Sequence, residues 1–117
     1  MNFQVVNDSF YNRILEEIDA HFPSFKSVFD KEDGIYPILG ELGTFIVENF
    51  NQENIRLQAI GFINEAIEQG GSETEDAIVL EVFQKIYEDM RLTNEIKMLL
   101  SDVTLSVFDK YLKEYNN

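Results

Sequence analysis

An all-α fold is predicted, a compact bundle of about six helices or a short stack of antiparallel helical hairpins, and three observations predict it. Apolar residues recur at helical spacing along nearly the whole chain. The breaks between these stripes carry helix caps and stops, and the connections are short. The one strand-like run, residues 78–83, sits inside a longer pattern that a capping motif opens and that continues at Ile86, Tyr87 and Met90.

Taken in order, Asn7, Asp8 and Ser9 offer cap residues before Tyr11, Ile14, Leu15, Ile18 and Phe22, and Pro23 stops that first helix. Pro23 and Ser24 then open a short helix carrying Phe25, Val28 and Phe29, ended by Asp33 and Gly34. Pro37 suits a first helical turn, and Ile38, Leu39, Leu42, Phe45, Ile46 and Phe50 continue an apolar face. Within it, Gly40 and Gly43 lower helix propensity and point to a closely packed neighbour. Asn51 or Gln52 starts the next helix, with Ile55, Ala59, Ile60, Phe62, Ile63, Ala66 and Ile67 facing inward. Gly70 and Gly71 are expected to end it in the left-handed conformation.

Ser72 and Glu75 have capping-box spacing, and Glu73, Glu75 and Asp76 complement the positive end of the helix dipole. The helix they open runs to Met90 and is apolar around much of its circumference, so it is expected to be central. Thr93 or Asn94 caps a short segment with Ile96, Met98, Leu99 and Leu100. Ser101 and Asp102 start a last helix through Val103, Leu105, Val107, Phe108, Tyr111, Leu112 and Tyr115. No Pro/Ser/Gly-rich linker, low-complexity tract or composition shift divides the chain, so residues 1–117 are expected to form a single all-helical domain.

Charge narrows the function. With 22 acids against 9 bases the net charge is −13, which repels phosphate backbones and anionic lipid and favours a cationic protein partner. The acids are concentrated: eleven fall between Glu41 and Asp89, against Arg56 and Lys85 alone. Around the Gly70-Gly71 turn, Glu65, Glu68, Glu73, Glu75 and Asp76 are the candidate partner-binding residues. A charge of this size also serves solubility, and that is the plainer reading of it. Cysteine is absent, which fits a reducing cytoplasm. The amino terminus lacks a basic, apolar leader pattern, and no apolar run approaches the roughly 20 residues that span a bilayer. A cytoplasmic protein that contacts neither nucleic acid nor membrane is expected.

No enzyme signature is found. The sole histidine, His21, cannot satisfy the His-Glu-x-x-His or repeated Glu-x-x-His patterns, so no metal site is expected, and His21 reads as a surface or helix-end residue that Glu17 can pair with. Placing Gly34 at the sixth position of a calcium loop puts Phe29, Lys31 and Gly40 where oxygen ligands belong. P-loop, dinucleotide and serine-hydrolase motifs are missing. Neither a cofactor nor a catalytic residue is assigned. One weak enzymatic pattern survives: Glu65-x-x-Glu68 and Glu73-x-x-Asp76 have the spacings of magnesium-dependent helical nucleotide hydrolases, although only the Gly-Gly turn separates them.

Phe22, Phe25, Phe29, Phe45, Phe50, Phe62, Phe83 and Phe108 fall on apolar stripes and are assigned to the core, whereas Tyr36, Tyr111 and Tyr115 lie near helix ends, where they can rim an interface. The segments Phe22-Pro23-Ser24-Phe25-Lys26, residues 38–45, residues 59–65, Gly70-Gly71 and residues 77–83 together resemble a poorly characterised bacterial family of small acidic all-helical proteins. Its members are suspected of acting as immunity proteins against polymorphic toxins. The resemblance covers roughly residues 20–90, carries no catalytic motif and transfers no functional residue. It implies an immunity-type protein that masks a cationic toxin. The alternative is a structural or regulatory adaptor with an apolar groove for a partner helix.

Overall fold

The computed structural model describes residues 8–117, and every regular element among them is helical. Asn7, one of the expected caps, lies outside the described residues. Asp8 does cap: its carboxylate accepts from the Tyr11 amide at 3.0 Å and opens helix α1, Ser9–Asn12. The first helix is nevertheless broken in two. Arg13 leaves helical geometry at φ −119° and ψ 20°, and α2, Ile14–His21, follows it. Phe10, Ile14 and Ile18 are buried, and the stop before Pro23 holds.

The short helix expected after Pro23 does not form; only a single 3₁₀ turn, Lys31–Asp33, is regular there. Side chains take the amides that a helix would need. The Glu41 carboxylate accepts from the Val28 amide at 3.0 Å and from the Ser27 hydroxyl, and Ser27 Oγ accepts from the Phe29 amide at 3.0 Å. Such local side-chain bonds compete directly with helical ones. Phe25 still reaches the core, but Val28 and Phe29 are exposed, which corrects the assignment of Phe29 to the interior.

Gly34, at φ 97°, is the only described residue in the left-handed region, and it turns the chain into α3, Ile35–Asn49. Helix α4, Glu53–Gln69, runs to the Gly70-Gly71 turn. These two glycines are not left-handed: Gly70 has φ −80° and Gly71 φ −98°. The sequence uses glycine at position 70 for space. A Cβ on Gly70 would collide with the Ala66 carbonyl oxygen and lie 2.5 Å from Thr74 Cβ.

The central helix is continuous but not uniform: α5, Ser72–Ile78, passes through a π-helical turn, Val79–Phe83, into α6, Gln84–Tyr87. Buried Thr74, Ile78, Val82 and Ile86 recur every fourth residue, as do Val79, Phe83 and Tyr87. At about 100° per residue a four-residue repeat drifts by about 40° at each step, and one wider turn holds these side chains on the core side. The π turn packs on α3. The neighbour expected at Gly40 and Gly43 is this turn, since a Cβ on Gly43 would sit 2.7 Å from the Glu81 carbonyl oxygen and one on Gly40 2.8 Å from Glu81 Oε1.

The capping box at Ser72 is not formed. Gly71 is the N-cap, and the Glu75 amide already donates to the Gly71 carbonyl at 3.0 Å, so the helix starts one residue earlier than the box requires. The central helix also ends at Tyr87, short of Met90. Asp89 accepts from the Leu92 amide at 3.0 Å and opens α7, Met90–Lys97, a role expected of Thr93 or Asn94; the Thr93 hydroxyl instead donates to the Ile86 carbonyl at 3.0 Å. Ser101 caps the last helix, α8, Asp102–Tyr115, as expected.

Helix α4 packs against α2, α3, α5 and α8. A stack of hairpins would restrict each unit to its sequence neighbours, so the fold is a bundle. Two aromatic clusters mark its core. Phe22 and Phe62 meet edge to face at 5.5 Å beside Phe10, and Phe83, Tyr87 and Phe108 lie within about 6 Å of one another, with the buried Tyr87 hydroxyl donating to the Phe108 carbonyl at 2.7 Å. Fully burying each such ring contributes about 1.5–3 kcal/mol.

Candidate partner-binding face

The Gly70-Gly71 turn positions the acidic candidates, and a residue far away in sequence fixes the turn. The Asp8 carboxylate, besides capping α1, accepts from the Thr74 amide and the Thr74 hydroxyl, both at 2.8 Å. One side chain thereby caps two helices and ties the start of the described chain to α5. Burial acts to raise the Asp8 pKa, but bonds from Tyr11, Thr74 and Gly71 outweigh it and hold the group below its ordinary value. Gly71 lets Asp8 approach, since a Cβ there would lie 3.2 Å from Asp8 Oδ2.

The five acidic residues do not form one cluster. Glu73 and Asp76 are exposed on α5, and Glu68 is exposed on α4. Glu75 is half-buried and accepts from the Tyr111 hydroxyl at 3.0 Å, which pins α5 to α8. Glu65 is half-buried and faces His21 Nε2 at 2.9 Å across α2 and α4. No three of Glu65, Glu68, Glu73 and Asp76 bring their oxygens within 4.8 Å of one another, so the hydrolase spacings do not build a magnesium cluster. The fold instead gathers Glu17, His21 and Glu65, one ligand-type atom from each lying within that distance, where sequence spacing predicted no metal site. Glu65 is 44 positions from His21, so no local pattern could reveal the trio.

What faces solvent on α5 and the π turn after it is a mixed surface. Leu80, assigned from sequence to the buried helix, is 55% exposed; it follows Glu73 and Asp76 at helical i+7 and i+4 spacing on the same side. Tyrosines border this face. The Tyr36 hydroxyl is pushed above its ordinary pKa by burial and by the neighbouring Tyr11, Asp76, Glu73 and Glu81, and that of Tyr11 by burial, Glu73 and Asp8. The Tyr111 pKa is raised first by its bond to Glu75 and then by burial. Tyr36 and Tyr111 thus lie beside the acids of α5, while Tyr115 packs at a tilt against Tyr87, ring centroids 5.4 Å apart, at the C-terminal end of α8. Carboxylates, tyrosines and one exposed leucine together can hold the ammonium or guanidinium groups of a basic surface and anchor one apolar side chain.

Several recesses lie elsewhere, and two of them bear on binding. One, of about 220 Å³ beside the irregular segment, combines apolar Leu15, Ile18, Phe25, Phe29 and Ile38 with Asp19, Lys26 and Ser27. The other, of about 400 Å³, mixes Arg56 and Arg91 with Glu48, Asp89 and Glu95, so its charges largely compensate. No described helix is long and apolar enough to cross a membrane.

Neither a curated protein nor a solved structure matches the chain. A family model does, over residues 15–116, which include the central helix, the close packings at Gly40, Gly43 and Gly70 and the Glu17, His21 and Glu65 trio; the chain is a member of the family described as a domain of unknown function, DUF7674.

Proposed function

We propose that the protein is an acidic protein-binding module of the immunity type, which masks a cationic partner such as a basic toxin through the outer face of α5 and the π turn that follows it. The observation that supports this reading most is the juxtaposition of exposed Glu73 and Asp76 with exposed Leu80, bordered by Tyr36. Long-range attraction from a net charge of −13 steers a basic partner to the surface. Leu80 and the tyrosines supply short-range contacts that slow its release. A bacterial origin and a cytoplasmic location belong to the same proposal.

The test takes the product of the adjacent open reading frame as partner and measures association by stopped flow across ionic strengths. The on-rate falls steeply as the Debye length shrinks from about 10 Å at 0.1 M salt to about 3 Å at 1 M. Glu73→Lys with Asp76→Lys slows association, whereas Leu80→Asp mainly speeds dissociation. An on-rate indifferent to salt and to both lysines would overturn the electrostatic mechanism.

A second reading has its own support. The 220 Å³ recess offers apolar side chains at Leu15, Ile18, Phe25, Phe29 and Ile38 beside polar ones at Asp19, Lys26 and Ser27, and neighbouring Val28 is 82% exposed. An adaptor that seats apolar side chains of a partner would use it, with charge serving solubility alone. Phe29→Ala would then weaken binding while the two lysine substitutions on α5 would not.

A further inference from the structure

His21 closes α2, and both of its ring nitrogens are engaged. Nδ1 lies 2.9 Å from the backbone carbonyl oxygen of Glu17, an acceptor, so Nδ1 carries a proton and donates it. The ring is held edge-on against Phe62, with centroids 5.6 Å apart. In the neutral imidazole Nε2 then presents a lone pair, and it faces Glu65 Oε2, another lone pair, at 2.9 Å. Two acceptors at that separation repel unless a positive charge lies between or beside them. The two candidates are a second ring proton and a metal ion.

Three features favour a metal. A histidine whose Nδ1–H is fixed by a carbonyl and whose Nε2 is turned to a carboxylate has the orientation of a metal ligand. A third donor is at hand, because Glu17 contributes a carboxylate oxygen to the same group of atoms within 4.8 Å. Tetrahedral ligands about 2.0–2.2 Å from a common ion lie about 3.4 Å apart, so Glu17 has to move in by up to about 1.4 Å and the Nε2–Oε2 pair has to open slightly from 2.9 Å. The three side chains are 18–29% exposed, which leaves room for water in the remaining coordination positions. Arg13 Nε pairs with Glu17 Oε2 at 2.9 Å, while Glu17 Oε1 lies 3.8 Å from His21 Nδ1 and has to turn toward the Nε2 edge of the ring to reach the ion. One imidazole and two carboxylates suit borderline first-row dications better than magnesium or calcium, which prefer oxygen alone.

We propose that Glu17, His21 and Glu65 form a site for a divalent transition-metal ion, zinc in the first instance, which fastens α2 to α4. It does not rest on the proposed partner-binding face, since Glu73, Asp76 and Leu80 take no part, and it gives Glu65, one of the acidic candidates, a different role.

The test is titration of the full-length chain with zinc chloride by calorimetry near pH 7, alongside His21→Asn, Glu65→Gln and the surface control Glu68→Gln. One equivalent binds to the unmodified protein, both site variants bind at least about tenfold more weakly, and Glu68→Gln binds as before. The ¹⁵N shift of His21 Nε2 moves on zinc addition in the unmodified protein, a readout that needs no variant to fold. Binding unaffected by His21→Asn, or an Nε2 shift unchanged at saturating zinc, would overturn the proposal and leave the pair as a proton-bridged ion pair.

Discussion

Asp8→Ala tests the least local feature of the fold. The carboxylate is 7% exposed and accepts three bonds, from the Tyr11 amide at 3.0 Å and from the Thr74 amide and hydroxyl at 2.8 Å. Bonds to a charged acceptor contribute about 1.5–3 kcal/mol each, and burying the charge offsets part of the sum. Losing a helix cap alone costs about 1 kcal/mol, and here two helices lose one. A net destabilisation of about 3 kcal/mol follows, or a drop of about 10 °C in Tm for a domain of this size. Urea unfolding of the unmodified protein, Asp8→Ala and Asp8→Asn at neutral pH reads it directly. The pH dependence has a definite sign. The folded pKa of Asp8 is depressed, so its contribution is present above the unfolded value near 3.9 and is lost as pH falls through the folded value. The stability gap to Asp8→Asn therefore holds between about pH 7 and pH 5 and closes in stronger acid. A cost below about 1 kcal/mol, or a gap that widens in acid, would refute the double-cap account.

Gly70→Ala forces a Cβ against the Ala66 carbonyl oxygen and Thr74. After allowance for the stiffer unfolded chain it costs about 1–2 kcal/mol in chemical denaturation. Gly43→Ala is more damaging than Gly40→Ala, since the first meets the Glu81 backbone and the second the mobile end of the Glu81 side chain. We expect about 2 kcal/mol against less than about 1 kcal/mol, measured side by side by thermal melts. Tyr87→Phe removes the buried bond to the Phe108 carbonyl and lowers stability by about 1 kcal/mol, with faster hydrogen exchange localised to α6 and α8.

The parts of the fold legible in sequence were those decided within a turn or two. Pro23 stops a helix because it lacks an amide donor, Ser101 caps one because its hydroxyl reaches an amide three residues on, and the apolar stripes gave most of the core. What eluded the sequence depends on residues distant along the chain. Asp8 and Thr74 are 66 positions apart, and their pairing changes the start of α5 from Ser72 at the cap to Gly71. Glu41 dissolves the helix expected around Val28 from 13 positions away. The glycines at 70 and 71 looked like a left-handed stop and are extended, since crowding in three dimensions sets a demand for glycine that only torsion was expected to set. For the candidate face, acidity and tyrosines were visible in advance. The exposure of Leu80 was not, because it depends on how the helix winds between Val79 and Phe83.

That widened turn gives the chain a place where its length is adjustable. An i→i+5 turn accommodates about one residue more than the α-helix it interrupts, and Leu80 is the one apolar side chain within it that leaves the core. Deleting Leu80 would let 72–87 wind as a regular α-helix, one residue shorter, and would remove the surface anchor in the same stroke. Insertion and loss of a single codon at this point therefore exchange a smooth outer face for one that presents an apolar contact.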